Sequence, residues 1–492
     1  MITVAVMLAT IMQALDTTIA NVALPHMQGG LSATQDQISW VLTSYLVATA
    51  IMIPPTGALA RRFGRKRLFL VAVGGFTITS MLCGAAGSLA EIVVYRLLQG
   101  AFGASLVPLS QAVLLDTYPR EKYGRAMAMW GLGVMVGPIL GPTLGGYLTE
   151  FHDWRWIFYI NLPFGLLALF GIAAFLPETS RDKERGFDWF GFLLLSLSVG
   201  LFQLMLDRGE LKDWFASPEI LAAAVLSLLF LYMFLVHMFT AERPFIEPRL
   251  FRDRNFSVGL LLMFVVGALL LSSLALLPPF MSHVMDYPVL LAGQVIAPRG
   301  IGTALAMLLV GRMINRVEPR LIILLGLLVA AWSMHLMAGF TPDMPASALV
   351  WTGVIQGFGL GFIFVPLSTI AFATLAPDRR TEGAAMFSLM RNLGGSIGIS
   401  VVVGLVVRNT QANHAAIAAT IDPFRLGPGR IWLPEVWNWH AGAGAAHLNE
   451  EVTRQAAALA YVSDFHLMTW VSLLAVPLLL LFRPPAQHHV PG

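Results

Sequence analysis

Asp16 lies inside an apolar stretch, residues 3–26, that holds no other Asp, Glu, Lys or Arg. In a helix through that stretch it would sit thirteen residues from one end and ten from the other, about 15–20 Å from either face of a bilayer. An ionised carboxylate at that depth is costly unless it is paired or wetted, and burial of an unpaired one favours its protonated form. That is the chemistry of a proton-coupling site. A second charge, Arg96, stands near the start of another apolar stretch, 91–115, with Gln99 one helical turn further on. If the two helices are neighbours, a proton arriving at Asp16 would break an Asp16–Arg96 attraction. The structural alternative for the same residues is a fixed ion pair that holds two helices together.

Other chemistries lack their residues. None of the four lysines follows a glycine as a phosphate-binding loop requires, and no HExxH helix or GxSxG elbow occurs. The lone Cys83 excludes an intrachain disulfide framework and a cysteine-cluster metal site. No metal or organic cofactor is expected, only the proton as coupling ion.

The elements that must carry Asp16 and Arg96 follow from composition. The chain has 492 residues, of which 57% are hydrophobic and 12% charged, with a mean hydropathy of +0.73. That is too apolar for soluble domains. Uncharged apolar runs can be read at 3–26, 38–60, 68–88, 91–115, 125–148, 156–176, 189–206, 220–239, 256–281, 290–313, 321–340, 347–372, 383–407 and 466–482, which predicts an all-α membrane protein of fourteen transmembrane helices. The first run lacks the basic n-region and cleavage site of a signal peptide and is read as a retained span. Alternate loops beginning with 61–67 hold 21 of the 31 basic residues, the opposite loops hold 7, and Arg96, Arg299 and Arg391 fall within spans. The positive-inside rule then places both termini in the cytoplasm. A net charge of +3 spread over short loops gives no reason to expect nucleic acid as a partner.

Span four reads Gln99-Gly100, Val107-Pro108-Leu109-Ser110 and Pro119; span twelve reads Gln356-Gly357, Val365-Pro366-Leu367-Ser368 and Pro377. The two prolines Pro108 and Pro366 are 258 residues apart, and Gly57 and Arg62 are echoed by Gly311 and Arg316 at 254. Coincidence in a biased composition is the bland explanation. Taken as a repeat, the period leaves room for two helices beyond six, so the chain is read as a six-helix bundle (1–180), two extra helices with their linkers (181–250) and a second six-helix bundle (251–492) that includes a periplasmic segment, 408–465, expected to form a helical hairpin-like extension because Glu450 to Tyr461 favours helix. Both copies run in the same sense, as in the parallel halves of major facilitator transporters.

The residues themselves carry a resemblance. Leu15-Asp16-Thr17-Thr18-Ile19-Ala20-Asn21-Val22-Ala23-Leu24-Pro25 resembles the first-span signature of the fourteen-span drug:proton antiporters of the major facilitator superfamily. Gly57-Ala58-Leu59-Ala60-Arg61-Arg62-Phe63-Gly64-Arg65-Lys66 is similar to the superfamily's motif between spans two and three, Arg96 to Gly100 to its span-four motif, and Gly137 to Gly146 to the antiporter motif of span five. Trp154 to Phe158 with Asn161-Leu162-Pro163, and then Met205 to Gly209, narrow the likeness to EmrB-type exporters of the EmrB/QacA branch. Two departures stand out. Arg61 occupies a position where the superfamily usually has Asp, so the family's cytoplasmic charge lock is not carried over unchanged, and Arg299 is a charge where an EmrB-like span would stay apolar.

The resemblance implies a major facilitator fold in which spans one, four, nine and twelve line a central cavity. It implies proton coupling at Asp16 and Arg96, and substrate contact by Gln13, Asn21, Tyr45, Gln99, Gln356 and Phe364, whose types suit hydrophobic, amphipathic molecules. It assigns conformational coupling to Gly57, Arg61, Gly64 and Arg65, to the Gly137, Gly141, Gly145 stripe with Pro138 and Pro142, and to Arg391, for which helix packing is an equal alternative. It further implies a bacterial inner-membrane location amid lipid, with a periplasmic adaptor protein and an outer-membrane channel as partners. The rivals are a dedicated exporter of one endogenous metabolite, lipid or siderophore, a transport-dead sensor or interaction protein, and, weakest, a membrane-embedded enzyme.

Overall fold

The computed structural model describes residues 1–119, 122–179, 186–314, 316–421 and 442–483. Its helices, labelled here by span, are α1 (Ile2–Gly30), α2 (Trp40–Met52 and Thr56–Phe63), α3 (Arg65–Ala85), α4 (Leu89–Thr117), α5 (Tyr123–Phe151), α6 (Trp156–Phe175), α7 (Trp189–Arg208), α8 (Pro218–Thr240), α9 (Arg254–Val284), α10 (Leu291–Met313), α11 (Pro319–Met337), α12 (Ala346–Ala373), α13 (Pro377–Thr420) and α14 (Ala443–Leu481). Thirteen are single apolar helices long enough to cross a bilayer, and α2 makes a fourteenth as a pair bent by 59°. The bend falls at Pro54 and Pro55, where the backbone loses two donors. Pro108 likewise leaves the carbonyl of Ala104 without its helical N–H, and α4 loosens there into a turn.

Helix starts follow capping chemistry. Ser88, Asp188 and Asp253 accept hydrogen bonds from the backbone N–H groups of Glu91, Gly191 and Phe256, while α8 and α11 begin on Pro218 and Pro319. Gly64, at φ 87°, turns α2 directly into α3.

Small residues set the helix contacts. On α5, a Cβ at Gly137 would strike the Ala14 carbonyl and one at Gly141 the Thr18 hydroxyl, so this stripe beds α5 against α1. Another face of α5 runs along α10, with Gly124 at Ile314, Gly131 at Met307, Ile139 at Gly300 and Pro142 at Gly293. This seam joins the first six helices to the last six. The side chain of Pro138 lies outside the described residues. Helices α7 and α8 pack on each other, and α7 lies along α2.

The repeat reappears as geometry. A Cβ at Gly100 would meet the Tyr45 carbonyl and Thr49 Oγ1; a Cβ at Gly357 would meet the Arg299 carbonyl and Thr303 Oγ1. Contact α2–α4 is thus repeated by α10–α12, with Tyr45 answering to Arg299 and Thr49 to Thr303.

The last two spans differ from the sequence reading. Helix α13 runs to Thr420 and α14 begins at Ala443, so the described parts of 408–465 are the helical extension expected there, built as continuations of the two spans. Hydropathy falls after residue 407, but the Ala, Gln and Asn residues that follow still form helix, and the two extensions bond through Asn413 Nδ2 to the Ala456 carbonyl (3.2 Å) and His414 to Asn449 (3.0 Å). At 1.5 Å per residue each helix is about 60 Å long, twice the roughly 30 Å hydrocarbon core. Trp432, Trp437, Trp439 and His440 lie outside the described residues.

Because the obstacle at Gly137 is backbone, Gly137→Val is expected to lower stability by about 1–3 kcal/mol, read as an earlier thermal unfolding midpoint of the detergent-purified protein, whereas Gly74→Val, facing only the far end of Leu169, should leave that midpoint nearly unchanged.

Candidate functional site

Asp16 and Arg96 do meet. Arg96 Nη1 donates to Asp16 Oδ2 at 2.7 Å, and both side chains are about 1% exposed. The other carboxylate oxygen, Oδ1, accepts from Gln99 Nε2 at 2.8 Å and Asn161 Nδ2 at 3.0 Å. The guanidinium also donates to Gln99 Oε1 (2.9 Å) and to the Val41 carbonyl (3.2 Å), and lies 4.1 Å from the centre of the Tyr45 ring. Asn161 bonds Ser80 Oγ (2.9 Å), and Ser80 in turn bonds the Phe158 carbonyl. Five helices, α1 to α4 and α6, therefore converge on one buried charge pair. Such a pair persists out of water only with further hydrogen bonds around it, and Gln99, Asn161 and the Val41 carbonyl supply them here.

Asn161 and Ser80 complete this network and were not singled out from the sequence as site residues. Asn161 had a signal, a lone amide entering an apolar run next to Pro163, but Ser80 had none. Asp16 is not the sole buried carboxylate. Asp464, on α14, is 1% exposed, and its Oδ2 has no partner among the described residues.

A second cluster ties the two halves together at the end of the bundle where α1 starts and α14 finishes. Gly57 lets α2 touch the backbone of Glu382 on α13, and one turn later Arg61 forms an ion pair with Glu382. Glu382 is 1% exposed and also accepts the Glu247 N–H at 2.9 Å. Arg65 pairs with Asp116 and donates to the Pro377 carbonyl (3.3 Å), while Arg380 bonds Asp116 (2.6 Å) and the Leu115 carbonyl (3.2 Å). The acidic half of the lock is therefore present, supplied by Glu382 across the interface and by Asp116 at the end of α4. Sequence reading missed both, because neither neighbours its partner along the chain.

The residues expected to line a substrate cavity do not share one open space in this conformation. Tyr45, Gln99, Gln356 and Phe364 are each 2% exposed or less. Tyr45 accepts from Gln13 Nε2 (3.3 Å), Gln356 Nε2 points to the Met334 sulfur (3.2 Å), and Phe364 stacks on Trp130 of α5 at 5.5 Å. Gln13 is half-buried and Asn21 is exposed. Gln99 belongs to the charge network. Arg391 is half-buried, and its backbone carbonyl faces Gly267, so α13 and α9 touch there through small residues. Gly145 packs on Ile19 and Val22, and Pro142 on α10. His237 on α8 bonds Asp188 at 3.0 Å.

Among the described residues, no group of three His, Cys, Asp or Glu side chains is arranged to hold a metal. A family model described as Major Facilitator Superfamily matches residues 6–399. The chain belongs to the major facilitator superfamily. Within it, the chain is 34% identical to the Multidrug export protein EmrB of Escherichia coli (strain K12) over 98% of its own length and 95% of the relative's. It is 37% identical to EmrB of Haemophilus influenzae over 86% and 84%, and 34% identical to the Fatty acid resistance protein FarB of Neisseria gonorrhoeae over 98% and 96%. The fold matches the human organic anion transporter MFSD10 (TETRAN) with a TM-score of 0.60 at 17% identity, covering 97% of this chain and 98% of that one. The proton:xylose symporter XylE matches with the same score at 13% identity, over 97% and 95%. This major facilitator chain is thus a multi-pass membrane protein of the EmrB-like group.

The charge lock makes a reciprocal test possible. Arg61→Glu should destabilise the closed end by facing two carboxylates, and the paired reversal Arg61→Glu with Glu382→Arg should recover part of the loss; a double-mutant cycle on thermal unfolding is expected to give a coupling of about 1–3 kcal/mol.

Proposed function

We propose that this protein is a proton-coupled exporter that moves hydrophobic and amphipathic compounds out of the bacterial cytoplasm by alternating access. The observation that carries the reading is the fully buried Asp16–Arg96 pair, on which α1 to α4 and α6 all depend. Protonating Asp16 removes the negative charge that Arg96, Gln99 and Asn161 surround. The guanidinium then loses its partner, and the packing of α1 against α4 changes with it. A single proton thereby acts on helices that line the transport path in this fold.

The lattice of Arg61, Arg65, Asp116, Arg380 and Glu382 closes one end of the bundle. By the positive-inside count that end faces the cytoplasm, and both termini lie there. Substrate entry then requires those pairs to part, with the α5–α10 seam as the surface along which the halves rock. A membrane potential of 100 mV supplies about 2.3 kcal/mol per charge moved, roughly a 50-fold gradient for each proton, so one or two protons suffice for useful efflux. EmrB-type likeness supports a periplasmic adaptor and an outer-membrane channel as partners, and the 60 Å helices α13 and α14 supply a surface beyond the far face of the membrane on which an adaptor could rest. Nothing in the site calls for an enzyme's nucleophile or metal.

The Fatty acid resistance relative favours a second reading, a dedicated exporter of one lipid or metabolite on the same scaffold; metabolite profiling of a deletion strain beside its drug sensitivity separates the two. For the leading reading, dye efflux from cells is expected to stop with an uncoupler, and Asp16→Asn should reduce efflux to the uncoupled level while the protein still reaches the membrane. Active efflux by Asp16→Asn would overturn it.

A further inference from the structure

The two halves treat their buried cation differently. In the first half, Arg96 on α4 meets the carboxylate of Asp16 on α1. In the second half, the position that repeats Arg96, counted from the Gln99-Gly100 and Gln356-Gly357 pairs, is Gly353. The cation sits instead on α10, at Arg299, which repeats Tyr45. Gly353 makes room for it: the nearest atom to a Cβ built there is the Cβ of Arg299, at 3.7 Å. The side chain thus occupies the neighbourhood that Arg96 fills in the first half.

Its partners are not equivalent. Arg299 is 6% exposed. Nη2 donates to Ser273 Oγ at 3.1 Å, and Ser273 lies on α9, the helix that precedes α10 as α1 precedes α2. A hydroxyl stands where the first half offers a carboxylate. Nη1 has no hydrogen-bond partner, and no described carboxylate lies within ion-pair distance. Arg299 lines two water-sized voids. One, lined by Met135 and Ile139 of α5 and by Leu270 and Leu274 of α9, lies on the seam between halves; the other lies within the second half, against Leu277, Met281 and Gly353. Arg391 adds a second intramembrane cation to this half, also without an ion-pair partner among the described residues. A cation held out of water demands a counter-charge, and the protein supplies none here.

We infer that Arg299 is an anion subsite, at which the carboxylate of an amphipathic substrate takes the place that Asp16 holds against Arg96. The planar fork of the guanidinium suits a carboxylate through two parallel bonds. Ser273 contributes a third polar contact, and the apolar walls of α5 and α9 accept the substrate's hydrocarbon part. Because one void lies on the α5–α10 seam, movement of the halves would enlarge it from water size to ligand size. The inference rests on the exporter reading for its direction of transport, but not for the binding itself.

The test uses the full chain in lipid nanodiscs with 11-(dansylamino)undecanoic acid and its methyl ester, which differ only in the charged head, and with empty nanodiscs as the partition blank. Fluorescence titration is expected to show the acid binding at least about tenfold more tightly than the ester. Arg299→Gln should bring the acid-to-ester ratio to about one, and Arg299→Lys should leave it intermediate. Ser273→Asp, which supplies the missing carboxylate from within, should abolish the preference as well, and it keeps the test decisive if Arg299→Gln fails to fold. Equal binding of acid and ester by the unsubstituted protein, or an acid preference that survives Arg299→Gln or Ser273→Asp, overturns the inference. Pumping plays no part in the readout. Acid preference without dye efflux would therefore count against the exporter reading alone, and dye efflux without acid preference against the anion subsite alone.

Discussion

A carboxylate and a guanidinium withdrawn from water into a helical bundle must satisfy each other and every remaining polar atom, and the first half of this protein is arranged around that requirement. Asp16 has four oxygen lone pairs to occupy. Arg96, Gln99 and Asn161 meet three of them from α4 and α6, while Val41 and the Tyr45 ring hold the guanidinium from α2. Removing one charge leaves the other exposed to a low-dielectric interior, which is far more costly than removing both. A proton is the one ligand small enough to make that change without displacing a side chain. The network is a strut that ties α1 to α2, α4 and α6, and under the proposed coupling the same pair would also be the trigger, its loss on protonation freeing those helices.

What the release acts on is visible elsewhere. The α5 helix carries glycine on the face toward α1 and a line of small contacts along α10, so a single element touches both α1 and the seam between halves. At one end of that seam, Arg61–Glu382 and Arg380–Asp116 pair across the interface, and Arg65 joins Asp116 from its own half. Arg61 stands where the superfamily resemblance leads one to expect a carboxylate, and the compensating carboxylate, Glu382, comes from α13. The polarity of this bond is reversed, yet its position at the closed end is kept.

The fold was largely legible from the sequence because a bilayer imposes length and hydropathy on every span, and fourteen apolar runs leave few alternatives. Asp16 and Arg96 were legible for the related reason that charges inside such runs are rare. The parts that escaped reading depend on contacts between distant segments. Asn161 and Ser80 are ordinary polar residues until α6 and α3 bring them beside Asp16. Glu382 and Asp116 sit at helix ends, where acidic residues are unremarkable, and only the docking of α2 and α4 on α13 gives them partners. The helical extension in 408–465 was legible, but its continuity with α13 and α14 was not, because hydropathy marks where a helix leaves the membrane, not where it stops being a helix. Asp464, hidden in that continuation, was missed with it. The burial of Tyr45, Gln356 and Phe364 depends on packing between helices and could not be read from residue type.

The central claim is that Asp16 itself gains and loses a proton as Arg96 releases and recaptures it. Infrared difference spectroscopy of the reconstituted protein measures this directly, through the carboxylic-acid carbonyl band that appears when the pH is lowered. A band present in the unsubstituted protein and absent from Asp16→Asn, and displaced in frequency when Arg96 is replaced by Lys, is the predicted result. An identical set of bands in the unsubstituted protein and Asp16→Asn would mean that the proton goes elsewhere, and would contradict the account.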